Sequence, residues 1–467
     1  GLLGFSAAAG DGVQVKIGVS PIQSEKPVLI RGDMTAEKIR EKLGHSPLAD
    51  AVMDAVQFGA DRIYCIPAAG TTTGTVGEVK KTGSGTGTLS ASGSPTNAFD
   101  LIIRITGQGE LNAAVFRVSV DGGYSFGEET TVPLTGEYEI SGTGVTVTFA
   151  AAPEPGEGGS FQVGDEFRLK TTAPAMTNKD VLAAFEKLKH FTEEYELVHI
   201  VGASTAETWQ AVSEGQKELA EDYKKLVAVI LEAAAPDAEE DLYDYAEQLE
   251  NDRKQVSNYE IQVVAAWGVL VRLDGSTQEV NLAGVATGLY AKAAVQESIG
   301  KTRPEAGFQI SKSKLTELRP AGMETITEKL DEAGYLTFRE YDGLDGYYVY
   351  HTKMLSPDGS DYPYMEDVRV LNKINRQIRK EALPLLQDDI DLEDVQGELE
   401  TRAKFLFPPL QTMIDRKEIS AAEILVPEEQ VKEFLEDGIM RVMVRYLSRG
   451  YVREIVVDLG RTKPDSE

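Results

Sequence analysis

Three near-continuous apolar runs constrain this chain most: Leu197-Val198-His199-Ile200-Val201, Leu226-Val227-Ala228-Val229-Ile230 and Ile261-Gln262-Val263-Val264-Ala265. Each follows a helical stretch, at 178–190, 204–220 and 238–254. Strands that are apolar on both faces and joined by helices pack as a parallel sheet covered on both sides. The run Arg62-Ile63-Tyr64-Cys65-Ile66-Pro67 follows a helical segment closed by Gly59 and fits the same sheet. Between them, residues 71–173 are rich in Gly, Ser and Thr and carry short alternating strands at 101–105, 114–120, 145–149 and 166–169. With the tight-turn residues Asp121-Gly122-Gly123, this block reads as an inserted β-sandwich on the outside of the molecule.

The fold expected is therefore α/β plus β. An αβα parallel-sheet core (21–70 plus 174–310) carries the inserted β-sandwich domain (71–173), and an α+β C-terminal domain follows (311–450). In that last domain, 336–341 and 347–351 flank Asp342-Gly343-Leu344-Asp345-Gly346 and read as a β-hairpin. A long helix is expected over 364–383 and a helical segment near 391–405. Val431, Phe434, Leu435, Ile439, Val442, Met443, Tyr446 and Leu447 predict a helix over 428–449, opened by Pro427 and closed by Gly450.

Both ends carry a detached strand. Residues 1–20 begin with small residues and end in Val13-Gln14-Val15-Lys16-Ile17; residues 451–467 contain Val452-Arg453-Glu454-Ile455-Val456-Val457-Asp458. A lone hairpin is marginal in water and exposes two edges. Strands donated by neighbouring copies would close them, at several kcal/mol per contact if each makes about five bonds of ~1 kcal/mol. The alternative is that both end strands fold back onto the hairpin of their own chain. Arg441, Arg445 and Arg449 recur at i, i+4 and i+8 on the expected last helix, either as dipole-matched surface arginines or as a docking face for acidic surface.

Composition narrows the function classes. A formal charge of −29 repels nucleic-acid phosphates and anionic membranes, which leaves proteins as the expected partners. The one cysteine, Cys65, excludes an intrachain disulfide and reads as a small core residue. No apolar run reaches the roughly 18 residues of a membrane span. Gly300-Lys301-Thr302 lacks the glycine and the strand of a phosphate loop, and Gly83, Gly85 and Gly87 lead into a strand, not a helix. The acidic run 388–394 lacks the turn glycine of a calcium loop. The four histidines, His45, His190, His199 and His351, show no ligand spacing, and His199 reads as a satisfied core histidine. No catalytic, cofactor-binding or metal-binding residue is expected. An α/β hydrolase or nucleotide-binding enzyme, and an adhesin acting through the β-insertion, stand as the alternatives to an assembly protein.

The chain resembles tail sheath proteins of contractile phages and related injection machines. The segments that carry the resemblance are Leu48-Ala49-Asp50-Ala51-Val52 leading to Gly59 and Arg62-Ile63-Tyr64-Cys65-Ile66, the α/β middle, and the C-terminal helix followed by Arg449-Gly450-Tyr451. The insertion is similar to a β-domain of phage structural proteins through Phe116-Arg117-Val118-Ser119-Val120-Asp121-Gly122-Gly123 and the run 140–149. The resemblance implies a subunit of stacked hexameric rings around a tail tube, assembled in a bacterial cytoplasm, with the tube, baseplate and tail terminator proteins as partners and no cofactor. It implies arms that exchange strands through Val13, Val15, Ile17, Val452, Ile455 and Val457, and an acceptor hairpin bearing Leu336, Phe338, Tyr348 and Tyr350. Domain 311–450 would then face inward, and Arg441, Arg445 and Arg449 would dock on the tube or a neighbour.

Overall fold

The computed structural model describes residues 11–154, 159–237, 239–427 and 429–460. The chain divides into two compact units, Gly1–Lys373 and Ile374–Glu467. The division falls at 373/374, so residues 311–373 belong with the first unit, which corrects the expected domain 311–450.

The first unit opens with β1 (Gln14–Val19), β2 (Val28–Arg31), α1 (Ala36–Leu43), α2 (Pro47–Gln57) and β3 (Arg62–Ala68). Eight strands of the insertion follow: β4 (Lys80–Thr82), β5 (Thr88–Gly93), β6 (Asp100–Gly107), β7 (Val115–Ser119), β8 (Thr130–Thr131), β9 (Glu137–Ile140), β10 (Val145–Ala150) and β11 (Glu166–Lys170). Helix and strand then alternate through α3 (Asn178–Lys189), β12 (Leu197–Ser204), α4 (Ala206–Glu221), β13 (Ala228–Ala233), α5 (Leu242–Arg253) and β14 (Ile261–Val264). The unit closes with β15 (Trp267–Val271), β16 (Thr277–Asn281), α6 (Ala283–Lys292), β17 (Leu315–Arg319), α7 (Thr327–Glu332), β18 (Phe338–Arg339) and β19 (Tyr348–Val349). Helix α8 (Met365–Ala382) carries the chain into the second unit, which holds α9 (Val395–Phe405), α10 (Pro408–Asp415), β20 (Ala421–Leu425), α11 (Gln430–Asp437) and β21 (Met443–Leu447).

The central sheet has the order β14-β13-β12-β1-β3-β2, parallel except for β2. One face buries Val15, Ile17, Val198 and Val229 against Phe185, Trp209 and Leu249 of the helices α3, α4 and α5. The other is covered by α1, α2 and α6. Helix α2 starts where Ser46 caps it, accepting from the Ala49 N–H, with Pro47 preset for the first turn. Helix α3 starts with a capping box between Thr177 and Asp180. Asp180 also accepts from the Thr71 hydroxyl at 2.6 Å, at the point where the chain leaves for the insertion.

The N-terminal strand overturns one expectation. Val13, Val15 and Ile17 are not an arm; β1 lies in the middle of the sheet between β12 and β3, and all three side chains are buried. Its partners are distant in sequence, so no local pairing signal existed. Its polar positions point into a buried seam, where Gln14 donates to the Thr287 carbonyl and Lys16 to the Thr287 hydroxyl. Residues 1–10 of the expected arm lie outside the described residues.

The insertion is two antiparallel sheets, β5-β10-β9 and β4-β11-β6-β7-β8, around one core. Phe116, Phe149, Phe161 and Phe167 stack through that core with neighbouring ring centroids 5.0 to 6.5 Å apart. Phe116→Ala should destabilise the insertion by about 3–5 kcal/mol. Urea unfolding followed by tyrosine fluorescence checks this, and a loss under about 1 kcal/mol would show the core is loosely packed there.

Candidate functional site

The second unit ends in an incomplete sheet. Helix α11 stops at Gly438, whose left-handed backbone (φ 66°) lets its N–H reach the Phe434 carbonyl at 2.8 Å. The expected helix over 428–449 therefore ends at Asp437, twelve residues early. Beyond Gly438, Met443-Val444-Arg445-Tyr446-Leu447 alternates and forms β21. Gln430, buried at the start of α11, pins the return by donating to the Ile439 carbonyl and accepting from the Arg441 N–H.

β21 pairs antiparallel with β20, Ala421 opposite Leu447 and Leu425 opposite Met443. On one face Glu423 stands opposite Arg445 in an exposed ion pair of 3.5 Å, worth little by itself. The same face leaves Leu425, Met443 and Leu447 in solvent. On the other face, a groove of about 430 Å³ runs between α9 and β20, lined by Ala403, Lys404, Phe407 and Ile424. The sheet has two strands, so among the described residues both outer edges lack a ladder partner. Such edges recruit another strand unless something covers them.

Residues 451–460 supply strand-forming sequence that joins no ladder among the described residues. Val452, Ile455, Val456, Val457 and Leu459 are all exposed, Leu459 at 94%. Each such side chain would gain roughly 1.5–3 kcal/mol on full burial, so a run of five left in water marks an unfilled contact.

The other predicted sites fall elsewhere. The hairpin of Leu336, Phe338, Tyr348 and Tyr350 is not an open acceptor. β18 and β19 share two residue pairs, and their flanks are taken by their own chain. Leu336 donates to the Val263 carbonyl and accepts from Ala265 N–H, while Tyr347 exchanges both bonds with Ile310. Leu336, Phe338 and Tyr348 are buried, Leu336 and Phe338 in the core that α6 caps, because their apolar side chains fill it. Arg441, Arg445 and Arg449 do not share a helix face: Arg441 follows α11, Arg445 lies in β21 and Arg449 lies beyond it. The β20–β21 pair was missed because its apolar residues satisfy helical and strand periods alike; Gly438 was the available signal.

The first unit contains one arrangement that looks catalytic. Lys16, His199 and Glu232 stand side by side on β1, β12 and β13, with Lys16 Nζ 2.6 Å from His199 Nδ1 and His199 Nε2 2.9 Å from Glu232 Oε1. As an ammonium Lys16 has only protons to offer, so Nδ1 accepts and Nε2–H donates to Glu232. Lys16 and His199 are wholly buried, which leaves them no surface to meet a substrate. His199 is thus a core histidine with both ring nitrogens bonded. Burial pushes the Lys16 ammonium down to about 7 and the Glu232 carboxyl up to about 8, and holds His199 well below its ordinary value. Glu232 therefore keeps its proton to higher pH when folded than when unfolded. Its contribution to stability is full below the ordinary carboxylate range and is lost as pH rises through about 8. In Glu232→Gln that slope disappears: the urea-unfolding free energy should fall less between about pH 5 and 8 than in the parent chain. Equal slopes would mean Glu232 is ionised in the fold. Among the described residues, no three His, Cys, Asp or Glu side chains are grouped to hold a metal ion, and no helix is long and apolar enough to cross a membrane.

The fold is similar to those of solved sheath proteins from a contractile tail and from an injection system. The sheath tail protein of Desulfitobacterium hafniense superposes with a TM-score of 0.52 at 14% identity, over 95% of this chain and 98% of that one. The sheath tail protein Lin1278 of Listeria innocua gives 0.50 at 12%, over 95% and 96%. The sheath complex of an extracellular contractile injection system, PVC, in its contracted state gives 0.55 at 10%, over 98% and 94%. No curated protein sequence matches the chain. The DUF2586 N-terminal domain model matches residues 1–351 and the DUF2586 C-terminal domain model matches 361–466. The chain belongs to the DUF2586 family.

Proposed function

We propose that the chain is the sheath subunit of a contractile tail, a structural protein that polymerises around a tail tube in stacked hexameric rings and shortens to drive the tube through a cell envelope. The observation that carries this reading is the pairing, in one unit, of an open two-stranded sheet with an exposed apolar strand-forming segment. In the polymer, residues 452–458 of one copy, led by Val452, Ile455 and Val457, add to the β20–β21 sheet of another. This replaces the hairpin at 336–351 as acceptor. The partners are further copies, the tube, the baseplate and the tail terminator, and assembly takes place in a bacterial cytoplasm before the sheath joins a tail. The insertion faces outward. Arg441, Arg445 and Arg449 are exposed and offer positive charge to acidic surface of the tube or a neighbour. The fold neighbours support the reading, since sheath proteins of a tail and of an injection system share this architecture.

Negative-stain imaging of the purified chain tests it. Striated cylinders or stacked rings are expected. A population of single molecules across the concentrations and salts that assemble sheaths would overturn the proposal.

A further inference from the structure

The lead into β1 and the first half of α8 are tied together at one buried point. Asp11 Oδ2 accepts from Lys373 Nζ at 2.6 Å, with the lysine side chain 2% exposed. One residue on, the Gly12 N–H donates to Glu196 Oε2 at 2.7 Å. Arg369, one helical turn before Lys373, grips the same carboxylate with both arms, Nε to Oε1 at 2.7 Å and Nη2 to Oε2 at 3.1 Å. Glu196 and Arg369 are each 1% exposed. Arg369 also donates to the carbonyls of Ala293 and Ala294, just past α6. Gly12 is required here: its φ is +70°, and a Cβ would stand 2.7 Å from the Ala291 carbonyl oxygen.

Four elements meet at this point, and two of them are the routes by which the chain continues beyond the first unit's core. Residues 1–10 join the core through Asp11, and the second unit joins through α8. An extended lead held only by its own ladder peels one bond at a time. A lead tied by Asp11 to Lys373, and by the Gly12 N–H to the carboxylate that Arg369 grips, cannot move without breaking a buried charge pair on that helix.

We propose that Asp11, Gly12, Glu196, Arg369 and Lys373 form a latch that makes the start of β1 and the first half of α8 open as one cooperative unit, so that force entering by either route is borne by the central sheet. The load itself rests on the sheath reading; the cooperative opening does not.

Hydrogen exchange by mass spectrometry on the full chain, kept below its assembly concentration, tests the latch. Asp11→Asn and Lys373→Gln each weaken one pair at the edge of the cluster without removing the buried Glu196–Arg369 pair, so both should fold. Each should raise exchange by tenfold or more in residues 12–19 and in 365–373 together. The exchanged pair Asp11→Lys with Lys373→Asp should restore most of the protection. An increase confined to the substituted element, or no increase in either, overturns the latch. Coupled opening in a chain that forms no tubes would sink the sheath reading and leave the latch standing; normal tubes with uncoupled opening would do the reverse.

Discussion

A chain ending at Gly450 should fold with both units intact and form no polymer. Among the described residues, 451–460 belong to no ladder, so their removal takes no strand from a described sheet. Its unfolding free energy should stay within about 0.5 kcal/mol of the full chain, as for other surface changes. Assembly should be lost outright. An added strand brings about five backbone bonds of ~1 kcal/mol each, and Val452, Ile455 and Val457 leave water at roughly 25 cal/mol per Å². That contact recurs in every copy, so its loss is multiplied along the polymer. Light scattering after size-exclusion chromatography reads the mass, and thermal melting reads the fold. A truncated chain that still builds particles of high mass would show that the polymer is held elsewhere.

A second large effect, on folding, is expected at Arg272. Its guanidinium lies between two buried carboxylates of α2, with Nε 2.9 Å from Asp54 Oδ1 and Nη1 2.9 Å from Asp50 Oδ2. Asp50 in turn accepts from Asn97 Nδ2 at 2.6 Å, so the cluster also ties the insertion to the core. Burial already pushes the Asp54 carboxyl up, and Arg272 is the main opposing influence. Arg272→Met leaves two buried carboxylates without the cation bonded to them, which should cost about 3–5 kcal/mol in urea unfolding at neutral pH. The penalty should shrink in acid. With the arginine gone, the folded chain holds the Asp54 proton to still higher pH than the unfolded chain, so stability is recovered as pH falls and lost as it rises. A loss under about 1 kcal/mol, or one independent of pH, would mean the carboxylates are neutral or solvated in the parent fold.

The elements legible from sequence were those whose signal is local. The runs at 197–201 and 261–265 became β12 and β14, and the run at 226–230 became β13, shifted to Ala228–Ala233. These strands are buried on both faces, so their composition announces them. The long helix at 364–383 is α8, Met365–Ala382, with its apolar stripe. What failed depended on distant partners. Val13-Gln14-Val15-Lys16-Ile17 reads as a half-exposed strand because Gln14 and Lys16 are polar, yet their needs are met by Thr287 and His199, far along the chain. The hairpin at 336–351 is real but short, and Val263, Ala265 and Ile310 close its edges, which no local pattern records. At the C terminus, Phe434 and Leu435 obey a helical period and Met443 to Leu447 a period of two, and the eye joins them into one helix. One glycine in the left-handed region, Gly438, separates the two. Leu336 and Phe338 belong to the core, Tyr348 is buried and Tyr350 half-buried, and among the described residues the open edges lie at β20 and β21.

Disulfide trapping between two singly substituted chains tests the central claim most directly. One chain carries Ile455→Cys and the other Glu423→Cys or Leu447→Cys, so any bond joins two molecules. The native Cys65 does not compete, being wholly buried with its thiol pushed up to about 12. Mild oxidation of the mixture under assembly conditions should give covalent heterodimers through the segment on one side and the hairpin on the other. No heterodimer from either pairing, with a ready intrachain bond when one chain carries both cysteines, would mean the segment closes its own sheet and the subunit is complete alone.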